Sequence, residues 1–260
     1  RDSEGNDTYT VGLSGQAYAG VWGLGLLVES DGHDTYFAGG REPDHERNPD
    51  RFLSLSQGFA IGMRPFAGGG VAALVDLAGN DTYVADVYGQ GVSYWYSAAL
   101  LLDASGNDTY RMHQYGQGCG IHLSLGLLAD GAGNDMYTGY WLVQGHAHDY
   151  AVGMLFDQAG DDTYVAEGNA QGRAINNSLA LLVDRAGNDA YLARHPEDCQ
   201  GGGNPGGRRD YGCLGLLLDL AGQDSYACGA TNGARLSRPM YGIVYDLETN
   251  QTVQAQEGPK

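Results

Sequence analysis

The chain has 260 residues, with 32 acidic against 14 basic side chains for a net charge of −18, and 43 glycines beside only 7 prolines. Lys260 is the sole lysine, so no basic patch exists to hold phosphates, and nucleic acid and anionic membrane are poor partners. No apolar run is long enough for a membrane-spanning helix, no signal-peptide pattern is visible, and the glycines lack the three-residue period of collagen.

From its first residues the chain repeats one pattern. Arg1-Asp2 begins inside a repeat, which reads as a processed mature form or a piece of a longer protein. Loose copies end at Tyr9 and Tyr36. The fullest copy is Asp76-Leu77-Ala78-Gly79-Asn80-Asp81-Thr82-Tyr83, and its final tyrosine recurs at Tyr110, Tyr137, Tyr164 and Tyr191, a period of 27 residues. A further copy ends at Tyr226, and Asp246 stands 27 residues after Asp219. A fixed period of this length predicts a solenoid.

Two acidic columns run through the repeats. Asp2, Glu29, Asp76, Asp103, Asp130, Asp157, Asp184, Asp219 and Asp246 form the first; Asp7, Asp34, Asp81, Asp108, Asp135, Asp162, Asp189 and Asp224 form the second. Together they hold 17 of the 32 acidic residues, so the net charge is largely a property of the repeat. Around them each unit reads Leu-Leu-x-Asp-x-x-Gly-Asn-Asp-x-Tyr, with a Gln-Gly seven residues after the tyrosine at Gln90, Gln117, Gln144 and Gln171. Short apolar or alternating runs between Gly-Asn-Asp turns predict strands, and no segment carries ten residues of capped helical period.

The predicted fold is all-β: one parallel β-helix (β-solenoid) of about nine 27-residue coils, three short strands to a coil, and a rod about 40 Å long. Residues 1–246 form the solenoid, and 247–260, where the pattern fails, form a C-terminal cap or tail. The leucine pairs, such as Leu100-Leu101 and Leu127-Leu128, are expected to supply the core. The glutamines are expected to stack as an amide ladder and the tyrosines as an aromatic one.

Two insertions break the period, at about 37–63 and 192–212. Each splits between a part before its glutamine (Gln57, Gln200) and six residues after it, so both loops should leave the same face and wall a shallow groove. Arg41, Asp44, His45, Glu46 and Arg47 come from the first loop; His195, Glu197, Arg208, Arg209 and Asp210 come from the second. Cys199 and Cys213 frame the glycine-rich stretch and are placed to close it with a disulfide, whereas Cys119 and Cys228 read as buried thiols.

The segment after each glutamine varies most. Stacking in register puts Trp95, His122, Asp149 and Asn176 in one row, with Tyr94, Tyr96, His146 and His148 nearby and His113 and Trp141 on the neighbouring strand. Trp95, Tyr94, Tyr96, Trp141, His122, His146, His148 and Asp149 are the expected ligand-binding set. Aromatic rings beside acids and amides suit a sugar, and the histidines offer metal-ligating or acid–base groups.

The turn itself, Gly79-Asn80-Asp81-Thr82-Tyr83 and its equivalents, resembles half of the RTX, or hemolysin-type, calcium-binding repeat. Here the period is 27 rather than 9, and Leu77-Ala78 stands where that family has Gly-Gly. The resemblance implies Ca²⁺ held by Asp81, Asp108, Asp135, Asp162 and Asp189 together with Asp76, Asp103, Asp130, Asp157 and Asp184. Electrostatics makes the same demand: carboxylates about 4.8 Å apart repel by about 3 kcal/mol at an effective dielectric near 20. Cations, raised pKa values or capping of each aspartate by its own turn all relieve that repulsion, and the sequence leaves these open.

The expectation is an extracellular structural or binding module, calcium-stabilised, presenting a glycan- or protein-binding face. Its setting would be secreted or cell-surface, with the periplasm as a variant. A polysaccharide-active enzyme on the same scaffold and a subunit that self-assembles through its solenoid ends are the alternatives. No catalytic motif is recognisable, which favours binding over catalysis.

Overall fold

Side chains alternate along a strand, so the repeat fixes what each coil buries. In the strand Ala98–Asp103, Ala99, Leu101 and Asp103 point inward while Ala98, Leu100 and Leu102 point out. Only the second leucine of each pair is core: Leu74, Leu101, Leu128, Leu155, Leu182 and Leu217 are fully buried, which corrects the expectation for both.

A computed structural model describes residues 1–204, 212–227, 229–238 and 241–248, and forms a β-solenoid of about nine turns. Three sheets run its length. The leucine sheet stacks eight parallel strands from Leu24–Val28 to Gly242–Glu248. The tyrosine sheet carries the repeat's tyrosines, and a narrow sheet of six short strands runs from Tyr18–Ala19 to Ala174–Ile175. Coils pair in the register the period demands: Leu101 with Leu74 and Leu128, Tyr110 with Tyr83 and Tyr137, Gly120 with Ser93 and Ala147.

Each coil turns three corners. At the Gly-Asn-Asp corner the backbones touch, and a Cβ on Gly133 would lie 1.4 Å from the Gly106 carbonyl oxygen. The other two corners each use consecutive left-handed residues, such as Gln117 (φ 53°) with Gly118 (77°) and His122 (54°) with Leu123 (61°). The glutamines make no amide ladder. Gln117 Nε2 donates instead to the Tyr110 carbonyl at 3.1 Å and the Thr138 carbonyl at 3.2 Å, so each glutamine ties its corner to two neighbouring strands. A left-handed corner has just spent its backbone groups on turning, and the long amide satisfies carbonyls the turn leaves over.

The tyrosines do form the expected aromatic ladder. From Tyr9 to Tyr226 their rings stack at 4.7 to 5.0 Å, nearly parallel, in the centre of the rod.

The first insertion leaves in two places. Glu42–Asp44 and Asn48–Ser56 form an antiparallel hairpin on the tyrosine sheet, and residues 62–69, beyond the expected limit of 63, form a loop at the third corner. In the second insertion Pro196–Asp198 is a short 3₁₀ turn. Residues 205–211, with Arg208, Arg209 and Asp210, lie outside the described residues, as do Cys228 and the tail from 249. Cys199 is a buried thiol, so the expected Cys199–Cys213 disulfide is not formed; Cys213 Sγ instead accepts the Asn204 N–H at 3.1 Å. The cap arrives earlier than expected: Arg235–Arg238 folds back antiparallel on Gly242–Glu248 and covers that edge of the leucine sheet.

Candidate functional site

The acid columns lie inside the rod. Asp103, Asp130, Asp157 and Asp184 end the strands of the leucine sheet and are at most 1% exposed. Each spends one oxygen on its own turn, as when Asp130 Oδ1 accepts the Ala132 N–H at 3.2 Å. The other accepts a tyrosine hydroxyl from the preceding coil: Tyr110 on Asp130 at 2.6 Å, Tyr137 on Asp157 at 2.7 Å, Tyr164 on Asp184 at 2.8 Å. The tyrosine ladder is thus also the donor row for the first acid column.

The second column caps between coils. Oδ1 of Asp108, Asp135, Asp162 and Asp189 accepts the N–H of the aspartate one coil before, at 2.6 to 2.7 Å. Oδ2 of each is buried and receives no N–H or hydroxyl, as in Asp34, Asp81 and Asp224; its neighbour is a first-column carboxyl, close enough for one proton to be shared in Asp130–Asp135, Asp157–Asp162 and Asp184–Asp189. These oxygens face the first column: Asp103, Asp108 and Asp130 bring one oxygen each within 4.8 Å of one another, as do Asp76 with Asp81 and Asp103, and Asp130 with Asp135 and Asp157. Burial, reinforced by the neighbouring carboxylates, pushes these groups far above the ordinary carboxylate range: Asp130 to about 7, Asp108 to about 8 and Asp135 to about 9.

This arrangement fits calcium in donor type and charge. All donors are hard carboxylate oxygens, each coil adds two carboxylates, and one divalent cation per coil would balance them. The Oδ2 row needs either shared protons or cations, because turn capping satisfies only Oδ1.

A second constellation stands at the third corner. Trp95, His122, Asp149 and Asn176 do form one row, at φ of 57 to 60° except His122 at 54°. Such backbone is cheap for glycine or asparagine and costs the other residues, and costs of this kind cluster at sites of function. Asp149 Oδ2 lies 3.0 Å from His122 Nδ1, and Asn176 Nδ2 donates to Asp149 Oδ1 at 2.9 Å. Burial alone would raise Asp149, but the His122 and Asn176 hydrogen bonds and the nearby His148 bring it well below the usual range, so it is ionised. Arg64, from the first insertion, places Nη1 3.2 Å from His122 Nε2 and its guanidinium 5.4 Å from the Trp95 ring centre. With Arg64 donating to Nε2, His122 carries its proton on Nδ1, toward Asp149.

These residues, with Leu123 and Tyr150, line a cavity of about 320 Å³. Behind it His148 Nδ1 lies 3.4 Å from Nε2 of the fully buried His146, which burial keeps neutral by lowering its pKa. His122, His148 and Asp149 also bring three potential metal-ligand atoms together, although the Arg64 cation on His122 opposes a metal there.

Of the expected ligand-binding set, the structure brings Trp95, His122 and Asp149 to the cavity, with His146 and His148 behind it. Tyr94 packs edge-on against His122 at 5.1 Å, and Tyr96, more than half exposed, packs edge-on against Trp95 at 5.2 Å. Trp141 does not join them: it sits in the tyrosine sheet with its ring over Gly168. Arg64 and Tyr150 were missed. Arg64 carries no motif and reaches the row only through its loop, while Tyr150 was legible as the residue next to Asp149.

The outer face of the tyrosine sheet carries a groove, but among the described residues none of the loop residues expected to wall one lines it. It has a volume of about 680 Å³ and runs from Arg51 past Arg111 and the stacked pair His113–Tyr140 (4.7 Å) to Arg194. Arg51 and Arg194 wall it, in ion pairs with Asp86 and Glu167, rather than the loop residues the sequence suggested. Asp44 and Arg47 instead cover the stacked Tyr88 and Tyr115, with the Arg47 guanidinium 5.8 Å from each ring centre. Compared with known protein families, curated proteins and solved structures, the chain matches none.

Proposed function

We propose that this chain is an extracellular binding module whose rod is stabilised by calcium along the two acid columns and whose third corner binds one sugar unit of a glycan. The observation that carries the reading is the row Trp95, His122, Asp149 and Asn176, held on left-handed backbone and closed over by Arg64. An aromatic ring beside an ionised acid, an amide and a guanidinium is the donor, acceptor and stacking set that a pyranose or uronate uses. Calcium belongs to the same reading: the turn resembles that of the RTX repeats, the Oδ2 row supplies donors, and an extracellular setting supplies the ion. The test is calorimetric titration of neutral and uronate-containing oligosaccharides into calcium-saturated protein. Saturable binding is expected, weakened by about tenfold or more in Trp95→Asn, a residue the corner already carries at Asn176. Binding unchanged in that variant would remove the corner from the site.

The His122–Asp149 pair favours one further reading, an enzyme that cleaves uronate glycans by elimination. Arg64 would shift from His122 Nε2 to the uronate carboxylate and neutralise it, and the freed Nε2 would take the C5 proton; the C4=C5 double bond forms as the C4–O bond breaks, and the leaving oxygen takes a proton back from the imidazolium. Unsaturated product formed by the wild type and lost in His122→Asn would establish it; binding without product leaves the module reading.

A further inference from the structure

The outer face of the leucine sheet is apolar almost throughout. Three side-chain rows run along it across the parallel strands; no charged residue stands in any of them, and the one hydroxyl is that of Tyr245 in the last coil, where the Arg235 guanidinium lies 5.1 Å from its ring centre. The middle row runs from Leu26 through Leu100, Leu127, Met154 and Leu181 to Ile243. Exposure is highest on the first coil, Leu24 at 78% and Leu26 at 62%, whereas Leu100, Leu127, Met154 and Leu181 of the inner coils are part-buried within the row. The tyrosine sheet is the internal comparison: one outward row there is mostly threonine, Thr8, Thr35, Thr82, Thr109 and Thr163, and the next mixes Phe37, Val84 and Val165 with Thr10, Arg111 and Thr138, so polar side chains interrupt both. Parallel strands that read apolar on both faces are those covered on both faces, and an open apolar area beyond a few hundred Å² marks an interface.

We infer that this face packs against the same face of a second copy of the chain. Eight strands at about 4.8 Å and five residues at about 3.3 Å give a flat patch of about 600 Å². Two such patches face to face bury about 1,200 Å², the lower bound of stable specific interfaces. A surface almost without hydrogen-bonding handles is its own best complement, and two sheets can pack about 10 Å apart as in a β-sandwich.

Charge permits it. Of the 32 acidic residues 17 belong to the columns, which leaves 15 against the 14 basic ones. Most of the column acids lie inside the rod rather than on this face, so the face itself brings no carboxylate row against its partner.

The experiment is sedimentation of the full chain over a range of concentrations, compared with the double variant Leu127→Glu/Met154→Lys. Both positions face outward, so the core stays intact, and an unchanged circular dichroism spectrum and melt confirm the fold. The wild type is expected to dimerise reversibly and the variant to lose association by about 100-fold or more. A wild type that stays monomeric at the highest concentration overturns the proposal. So does a dimer that the double variant leaves intact, which would place the interface elsewhere. A wild-type monomer that floats with zwitterionic lipid vesicles, when the variant does not, would assign the face to lipid instead.

Discussion

At the scale of single residues, a tyrosine hydroxyl and a buried carboxylate settle each other. Tyr110 is fully buried and donates to Asp130 at 2.6 Å. Tyr110→Phe keeps the ring in its stack and removes only the donor, so it should cost about 1–3 kcal/mol in a denaturant titration, the penalty for a buried acceptor left unmet. The aspartates also set a pH dependence. Their pKa values in the folded chain lie above those of an unfolded aspartate, with Asp130 at about 7 and Asp135 at about 9. The folded state therefore binds more protons than the unfolded one, and this contribution to stability is complete below about pH 4 and lost as pH rises through 7 to 9. In chelator, the melting temperature should fall across that range. Saturating Ca²⁺, which takes the ionised form, should flatten the fall. Identical curves with and without calcium would show that protons alone occupy the columns.

At the scale of the coil, the corners decide what the repeat tolerates. Gly133 lies under the Gly106 carbonyl, and the next coils repeat the approach at Gly160 and Gly187. Gly133→Ala forces stacked backbones apart and should cost about 3 kcal/mol or more. Gly68, in the loop that carries Arg64, has only ordinary contacts with Tyr96, so Gly68→Ala should stay within about 0.5 kcal/mol. Paired denaturation curves check both. The two left-handed corners differ in their side chains: at the glutamine corner the amide is buried and its partner is glycine, whereas at the third corner both positions carry larger side chains, and successive coils align them in rows. The outer groove makes a separate prediction. Arg111 has no ion-pair partner among the described residues and lies beside the His113–Tyr140 stack. If acidic glycans extend beyond the corner into this groove, Arg111→Ala should weaken long uronate chains by about tenfold and leave single sugar units unaffected.

At the scale of the whole molecule, each coil contacts chiefly its neighbours, so stability is close to a sum of coil and interface terms. The tyrosine, leucine and aspartate columns run uninterrupted through the centre, whereas each terminal coil has a neighbour on one side only. Amide hydrogen exchange should therefore be slowest around Leu101–Leu182 and fastest toward both ends, and chelation should raise the rates along the columns together. Uniform rates from end to end would mean that the rod opens as a single unit.

By itself the sequence determined the solenoid, its period, the three-stranded coil, both acid columns and the row Trp95, His122, Asp149 and Asn176. All of these follow from register, because a parallel stack copies position in the repeat into position in space. Tertiary structure alone decided what depends on direction and approach. It turned Leu101 inward and Leu100 outward, clamped the glutamines onto carbonyls, and brought Arg64 across 58 residues to His122. It also left the Oδ2 atoms of the second column facing Asp103 and Asp130. A linear pattern carries the period of a strand, but which side of the strand meets the core, and which loop folds over a corner, is settled only when the coils close on one another.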